Sequence, residues 1–117
     1  MNLSEATQSA KQVRQLLGEL ETRRYRRRWN VEEIALGFVG DVGDLVKLVQ
    51  AASGVRNIPD LASRLSHELA DCLWSILVLA DLLGVDIEQA FAETMRGLEE
   101  CARAELAAQH PLVCPER

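Results

Sequence analysis

The sequence predicts an all-α fold, a four-helix bundle-like protomer completed by dimerisation. Three observations lead there. Only three prolines occur, and between Pro59 and Pro111 the pattern is helical throughout. Apolar residues recur at spacings of three and four along four segments, which is the period of a helix and not of a strand. Capping residues stand where those segments begin: Ser4, Asn30 and Asp86.

The first helix is predicted to run from an N-cap at Ser4 to about Arg27, with Val13, Leu16, Leu17 and Leu20 as a narrow apolar stripe. Five arginines (Arg23, Arg24, Arg26, Arg27 and Arg28) crowd its end, where positive charge complements the carbonyl end of the helix dipole. Asn30 and Glu33 read as a capping box opening the second helix. Its apolar face is Val31, Ile34, Phe38, Val42, Leu45 and Val49. Gly54, Asn57 and Pro59 mark the break. Pro59 suits the first turn of the third helix and Gly84 its C-terminal cap. Asp86 then caps a fourth helix whose inward stripe is Ile87, Phe91, Met95, Leu98 and Ala102. From about residue 108 the chain, with Pro111 and Pro115, reads as a loose tail.

Composition narrows the class. At 117 residues the chain reads as one domain, 1–117, and its 48% apolar content supports a packed core. A net charge of −5 argues against a nucleic-acid polymer as partner, because phosphate-binding surfaces are basic. The N-terminus shows no basic-then-apolar leader. The apolar run at 69–80 is interrupted by Asp71 and Ser75 and is too short to span a bilayer. No membrane partner is therefore expected, and the location expected is cytoplasmic. Cys72, Cys101 and Cys114 are odd in number and lack metal-knuckle spacing, so reduced thiols are expected. Four helices this apolar in so short a chain leave surface for a second copy, giving a homodimer or a dimer of dimers.

The third helix carries the chemistry. It is apolar nearly all round from Leu69 to Ala80, the mark of a helix buried on most sides. One polar line remains, Arg64, Glu68, Asp71 and Ser75, at steps of four, three and four that place them on one face. Burying a carboxylate is costly without a cation or hydrogen-bond donors, and a second carboxylate nearby raises that cost. The second helix offers another acid pair at the same spacing, Asp41 and Asp44, at the edge of its apolar face. If these helices pack antiparallel across the loop at 53–58, the pairs converge into an all-oxygen site. Such a site suits Mg²⁺ or Mn²⁺ rather than zinc, and Mg²⁺ shares its shell readily with phosphate oxygens. Two plainer readings stay open. Asp41 and Asp44 can be a solvated edge, and Glu68 can pair with Arg64 while Asp71 accepts from Ser75.

The stretch Ala35–Leu45, reading A-L-G-F-V-G-D-V-G-D-L, precedes Glu68–Trp74 (E-L-A-D-C-L-W) and Leu79–Asp86 (L-A-D-L-L-G-V-D). In this order the motifs resemble the MazG-like family of all-α nucleotide pyrophosphohydrolases over a core of roughly 29–98. The resemblance implies that Asp41, Asp44, Glu68 and Asp71 bind Mg²⁺, which grips the phosphate chain of a nucleoside triphosphate. Water then attacks phosphorus, and a nucleoside monophosphate and pyrophosphate are released. One of the acids Asp41 and Asp44 would position or deprotonate that water. The family pattern on the second helix is E-x-x-E, whereas this chain has Asp41 and Asp44, each shorter by one methylene, about 1.5 Å of reach. Gly37, Gly40 and Gly43 would offset this by admitting a helix or ligand closer to the backbone, or would simply ease packing. The family also supplies a lysine and an asparagine from the fourth helix; Glu93–Gly97 has neither, and Arg96 is the nearest substitute.

Trp29, Lys47, Arg96 and Arg28 are the candidate substrate contacts, with Trp29 stacking on a base. Surface, helix-end or subunit-contact roles are the alternatives for the basic residues, and core packing is the reading for Trp74. Without a Glu-x-x-His pair, a ferritin-like di-iron site is not indicated. The leading expectation is thus a Mg²⁺-dependent nucleotide pyrophosphohydrolase. The alternatives are a phosphoribosyl-ATP pyrophosphohydrolase-like enzyme and a non-catalytic helical dimer that binds nucleotide or a protein partner.

Overall fold

The computed structural model describes residues 1–108 and Cys114. It contains α1 (Leu3–Tyr25), α2 (Val31–Ala52), α3 (Leu61–Leu82) and α4 (Ile87–Ala107), and no strand among the described residues. By compactness the chain divides into two units, Met1–Val85 and Asp86–Arg117.

Local chemistry sets the helix ends. Asn2, not Ser4, caps α1, its side chain accepting from the Glu5 N–H at 2.8 Å. This cap lies upstream of the expected one because Asn2 is extended and leaves Leu3 to open the helix. The helix ends at Tyr25, ahead of the expected Arg27, because Arg26 turns left-handed (φ 66°) and its N–H closes on the Thr22 carbonyl. The Asn30–Glu33 capping box forms in full. Pro59 falls outside α3 and not in its first turn; the helix begins after Asp60, itself left-handed at φ 55°, which an aspartate tolerates better than a bulkier residue. Gly84, at φ 72°, ends α3 as expected. Asp86 caps α4 by accepting from the Gln89 N–H at 3.1 Å.

Within the first unit α3 packs against both α2 and α1, and α2 and α3 form an antiparallel hairpin. Cys72, Ser75, Leu77, Val78 and Ala80 are the buried residues of α3 and are spread round most of its circumference. Leu69, Leu73 and Ile76 form one exposed strip, so from Asp71 to Ala80 α3 is covered on most sides, as its composition suggested. On α2 the inward line is Ile34, Phe38, Asp41, Leu45 and Leu48, while Val42 and Val49 face outward. The expected α2 stripe is therefore rotated by part of a turn, which moves Asp41 from its edge to its middle. On α1, Val13, Leu16, Leu17 and Leu20 all remain 38% exposed or more; Ala10 and Gly18 are the buried positions. Small residues allow the close approach, and the guanidinium of Arg28 lies across Gly18. Trp74 ties α3 to α1 by donating Nε1–H to the Ala10 carbonyl at 3.3 Å, and Lys11 stands 3.5 Å from Asp81.

In the second unit no residue of α4 is buried, and Phe91 and Met95 of its expected stripe are exposed. Cys101 and Cys114 are joined as a disulfide, Cα atoms 5.7 Å apart, contrary to the expectation of reduced thiols; Cys72 is free and buried. Apart from Ala108 and Cys114, the tail expected from about 108 lies outside the described residues.

Candidate active site

The α2–α3 hairpin brings acids from both helices together. Asp41, Asp44 and Glu68 each offer a carboxylate oxygen within 4.8 Å of the others. Asp41 and Glu68 are half-buried and Asp44 is exposed. Asp41 occupies the inner line of α2, so burial raises its pKa, with the charges of Asp71 and Asp44 adding to the effect. Glu68 is raised too, first by burial, then by Asp41, Asp71 and Asp44; His67 opposes them. Burial pushes the Cys72 thiol up, as do the charges of Asp41, Glu68 and Asp71.

Neither plainer reading of the α3 line appears among the described residues. Glu68 makes no ion pair with Arg64, and its Oε1 is buried without a hydrogen-bond partner. Asp71 does not accept from Ser75; its Oδ2 lies 3.3 Å from His67 Nε2, one turn earlier. Asp71 is outside the converging trio, yet it shares a cavity wall with Asp41. Mutually repelling carboxylates, two of them half-buried and one with an unpartnered buried oxygen, fit a hard divalent cation: it would neutralise the repulsion and give Glu68 Oε1 a partner.

Besides the cavity that Asp41 and Asp71 share, two others flank these acids. One, of about 290 Å³, lies between α1 and the hairpin, with Leu17, Tyr25, Trp29 and Trp74 as its aromatic and apolar wall and Asp41 and Ser75 at its polar side. The second, of about 460 Å³, lies toward the α2–α3 connection and is lined by Asp44, Lys47, Ile58, Arg64, His67 and Glu68. Trp29 is fixed through its backbone: its N–H donates to Glu21 Oε1 at 2.8 Å, and its carbonyl accepts from Arg14 Nη2 at 3.1 Å. Its ring crosses Gly37, where an added Cβ would stand 3.7 Å from Cζ3. A Cβ at Gly40 or Gly43 would meet nothing within 4 Å, so of the three glycines only Gly37 has a close neighbour among the described residues.

Lys47 lines the second cavity, with Nζ 4.0 Å from Asp44 Oδ1. Arg28 lines neither cavity; it reaches the Arg14 carbonyl (3.4 Å) and Gln15 Oε1 (3.5 Å) across Gly18. Arg96 belongs to the second unit, 4.0 Å from Glu100 on its own helix. Two arginines line the cavities beyond the expected substrate contacts. Arg14 lines the aromatic cavity with its Nε buried and unpartnered; its signal was a charge at stripe spacing, three residues before Leu17. Arg64, on the acid face of α3, lines the second cavity and does not pair with Glu68.

The family described as the MazG nucleotide pyrophosphohydrolase domain matches residues 30–102, more than half of the chain. The chain belongs to the MazG family. Comparison with curated proteins and with solved structures gave no match. The MazG match begins at the α2 cap, includes both acid pairs and ends within α4. No helix among the described residues is long and apolar enough to cross a membrane.

Proposed function

We propose that this MazG-family chain is a Mg²⁺-dependent pyrophosphohydrolase, cleaving a nucleoside triphosphate to the monophosphate and pyrophosphate. The observation carrying the reading is the convergence of Asp41, Asp44 and Glu68 from two helices, with Glu68 Oε1 buried and unpartnered. These three would hold the ion, and Asp71, which shares a wall with Asp41, would be the fourth ligand. The bound ion supplies Lewis-acid activation of water and neutralises charge on the phosphates. Asp41, half-buried with a raised pKa, is suited to accept a proton from the attacking water, its basicity being increased by burial and neighbouring charge. Asp44 is the exposed member, on the side where phosphates would enter. Trp29 is the proposed stacking surface for the base and Lys47 a phosphate contact. Arg28, which lies across Gly18, and Arg96 on α4 belong to the same proposal as further substrate contacts.

The whole chain is treated as one MazG-like domain, because the matched residues run across the division at Val85 into α4. A homodimer, or a pair of dimers, belongs to the same reading. It is supported by Leu36 and Val39 on α2 and Leu69 on α3, which stay exposed by more than half. The proposed location is the cytoplasm, where nucleoside triphosphates are held; there a reducing poise would open the Cys101–Cys114 bond.

The test is pyrophosphate release from a panel of nucleoside triphosphates, with Mg²⁺ and with EDTA. The reading expects metal-dependent turnover of at least one nucleotide that Glu68→Gln removes. Nucleotide binding without any turnover would instead identify a non-catalytic binding protein.

A further inference from the structure

Three cavities touch the acids, and only one of them is unbalanced in charge. The aromatic cavity sets Arg14 and Arg24 beside Glu21 and Asp41, and the cavity toward the α2–α3 connection sets Lys47 and Arg64 beside Asp44 and Glu68. In both, cations match acids one for one. The cavity that Asp41 and Asp71 share, of about 460 Å³, is otherwise walled by His67 and by apolar residues of α1 and α3. No lysine or arginine stands among its described residues. Two carboxylates thus face this cavity without a permanently charged cation. They sense one another: after burial, the charge of Asp71 is the largest cause raising the Asp41 carboxyl.

His67 is the one nitrogen donor in that wall. Its Nε2 lies 3.3 Å from Asp71 Oδ2, the two side chains standing one turn apart on the same face of α3. Two donors bound at about 2.1 Å to one ion stand about 3.0 to 3.4 Å apart, at octahedral or tetrahedral angles. The pair therefore already has the bite of a chelate. It also offers a nitrogen, which the all-carboxylate group of Asp41, Asp44 and Glu68 lacks. An imidazole nitrogen suits first-row transition ions better than Mg²⁺, which takes oxygen.

We propose that His67 and Asp71 form a second divalent-cation site, for a transition ion that accepts nitrogen as well as oxygen. His67 Nε2 and Asp71 Oδ2 are the ligands, and Asp41, in the same cavity wall, accepts from waters on the ion. Asp71 has two carboxylate oxygens, so Oδ1 stays available to the ion of the Asp41–Asp44–Glu68 group. The bound ion takes the place of the direct His67–Asp71 contact and supplies positive charge to the one cavity whose wall lacks it. This site goes beyond the pyrophosphohydrolase reading and does not depend on it.

Pulsed EPR of Mn²⁺ bound to the full-length protein, without nucleotide, reads the imidazole directly, because a ligating nitrogen couples to the electron spin and carboxylate oxygen does not. With about two equivalents of Mn²⁺ the unaltered protein is expected to show a nitrogen coupling. His67→Gln changes a side chain that is 76% exposed, outside the core, and should abolish the coupling. Binding of that ion should weaken about tenfold or more, at least the loss seen when a group supporting a ligand is removed. His110→Gln, at the other histidine of the chain, should leave the coupling in place. Glu68→Gln should leave it too, weakening only the ion held by the three acids. A missing coupling in the unaltered protein, or one that survives His67→Gln, overturns the site and leaves His67 and Asp71 as an ion pair only. Loss of the coupling in Glu68→Gln also overturns it, since the imidazole would then serve the ion of the three acids. Pyrophosphate release judges the hydrolase reading separately, and it can fail while the nitrogen coupling persists or succeed while the coupling is absent.

Discussion

Asp71 turns its carboxylate back along α3 to His67, with Oδ2 3.3 Å from Nε2, while Glu68, one turn away on the same face, converges with Asp41 and Asp44. The two acids of α3 therefore have unequal surroundings. Glu68 has an orphaned buried oxygen, and Asp71 has a protein partner. Mg²⁺ affinity measured by calorimetry should accordingly fall further for Glu68→Gln than for Asp71→Asn. Equal losses would mean that Asp71 leaves His67 at no cost.

Stability of the metal-free protein should carry the signature of Asp41 and Glu68. Their pKa values are raised, so the folded state prefers them protonated. That contribution is fully present below the ordinary carboxylate range and is lost as pH rises through the raised values. In EDTA, the melting temperature of Asp41→Asn relative to the unaltered protein should thus improve as pH rises from about 4 to 7. A difference independent of pH would contradict the assignment.

Metal should reverse that penalty. At about 100 times its dissociation constant, Mg²⁺ is expected to stabilise the unaltered protein by about 2.7 kcal/mol. The corresponding upward shift in thermal melts should be largely absent from Asp41→Asn and Glu68→Gln. A shift of the same size in all three proteins would place the ion elsewhere.

Turnover should depend on the trio far more than on neighbouring charges. Asp44→Asn and Glu68→Gln are each expected to lower kcat/KM by about a hundredfold or more, as loss of transition-state charge stabilisation does. Lys11→Met, which removes the 3.5 Å contact with Asp81, should cost less than about 1 kcal/mol of stability, as an exposed ion pair does, and leave turnover unchanged.

Trp74 has a structural duty besides lining the aromatic cavity. Replacing it with phenylalanine removes the Nε1–H donor to the Ala10 carbonyl and should destabilise the fold by about 1 kcal/mol in denaturant titrations. Asn30→Ala should cost a similar amount by removing half of the α2 capping box.

Much of this was legible in the sequence. The Asn30–Glu33 box, the Gly84 stop and the Asp86 cap involve partners within a few residues, so their chemistry is complete in the local chain. The four helices and the acid spacing follow for the same reason, since helical periodicity is a local property. The C-terminal end of α1 and the start of α3 differ from expectation because Arg26 and Asp60 adopt left-handed conformations that their residue types rarely announce.

What the sequence by itself determined, then, is the all-α class, the order of the helices and the acids at three-residue spacing. Tertiary structure alone decided which carboxylates meet. Packing rotated α2 so that Asp41 joined Ile34 and Leu48 on its inner line, and it left Asp71 to His67. Packing also opened an aromatic cavity and a more polar one beside the acids, the first from residues as far apart as Arg14 and Ser75. The reason is physical: spacing along one helix fixes which side chains share a face, but the rotation of one helix against another is set by how their surfaces interlock.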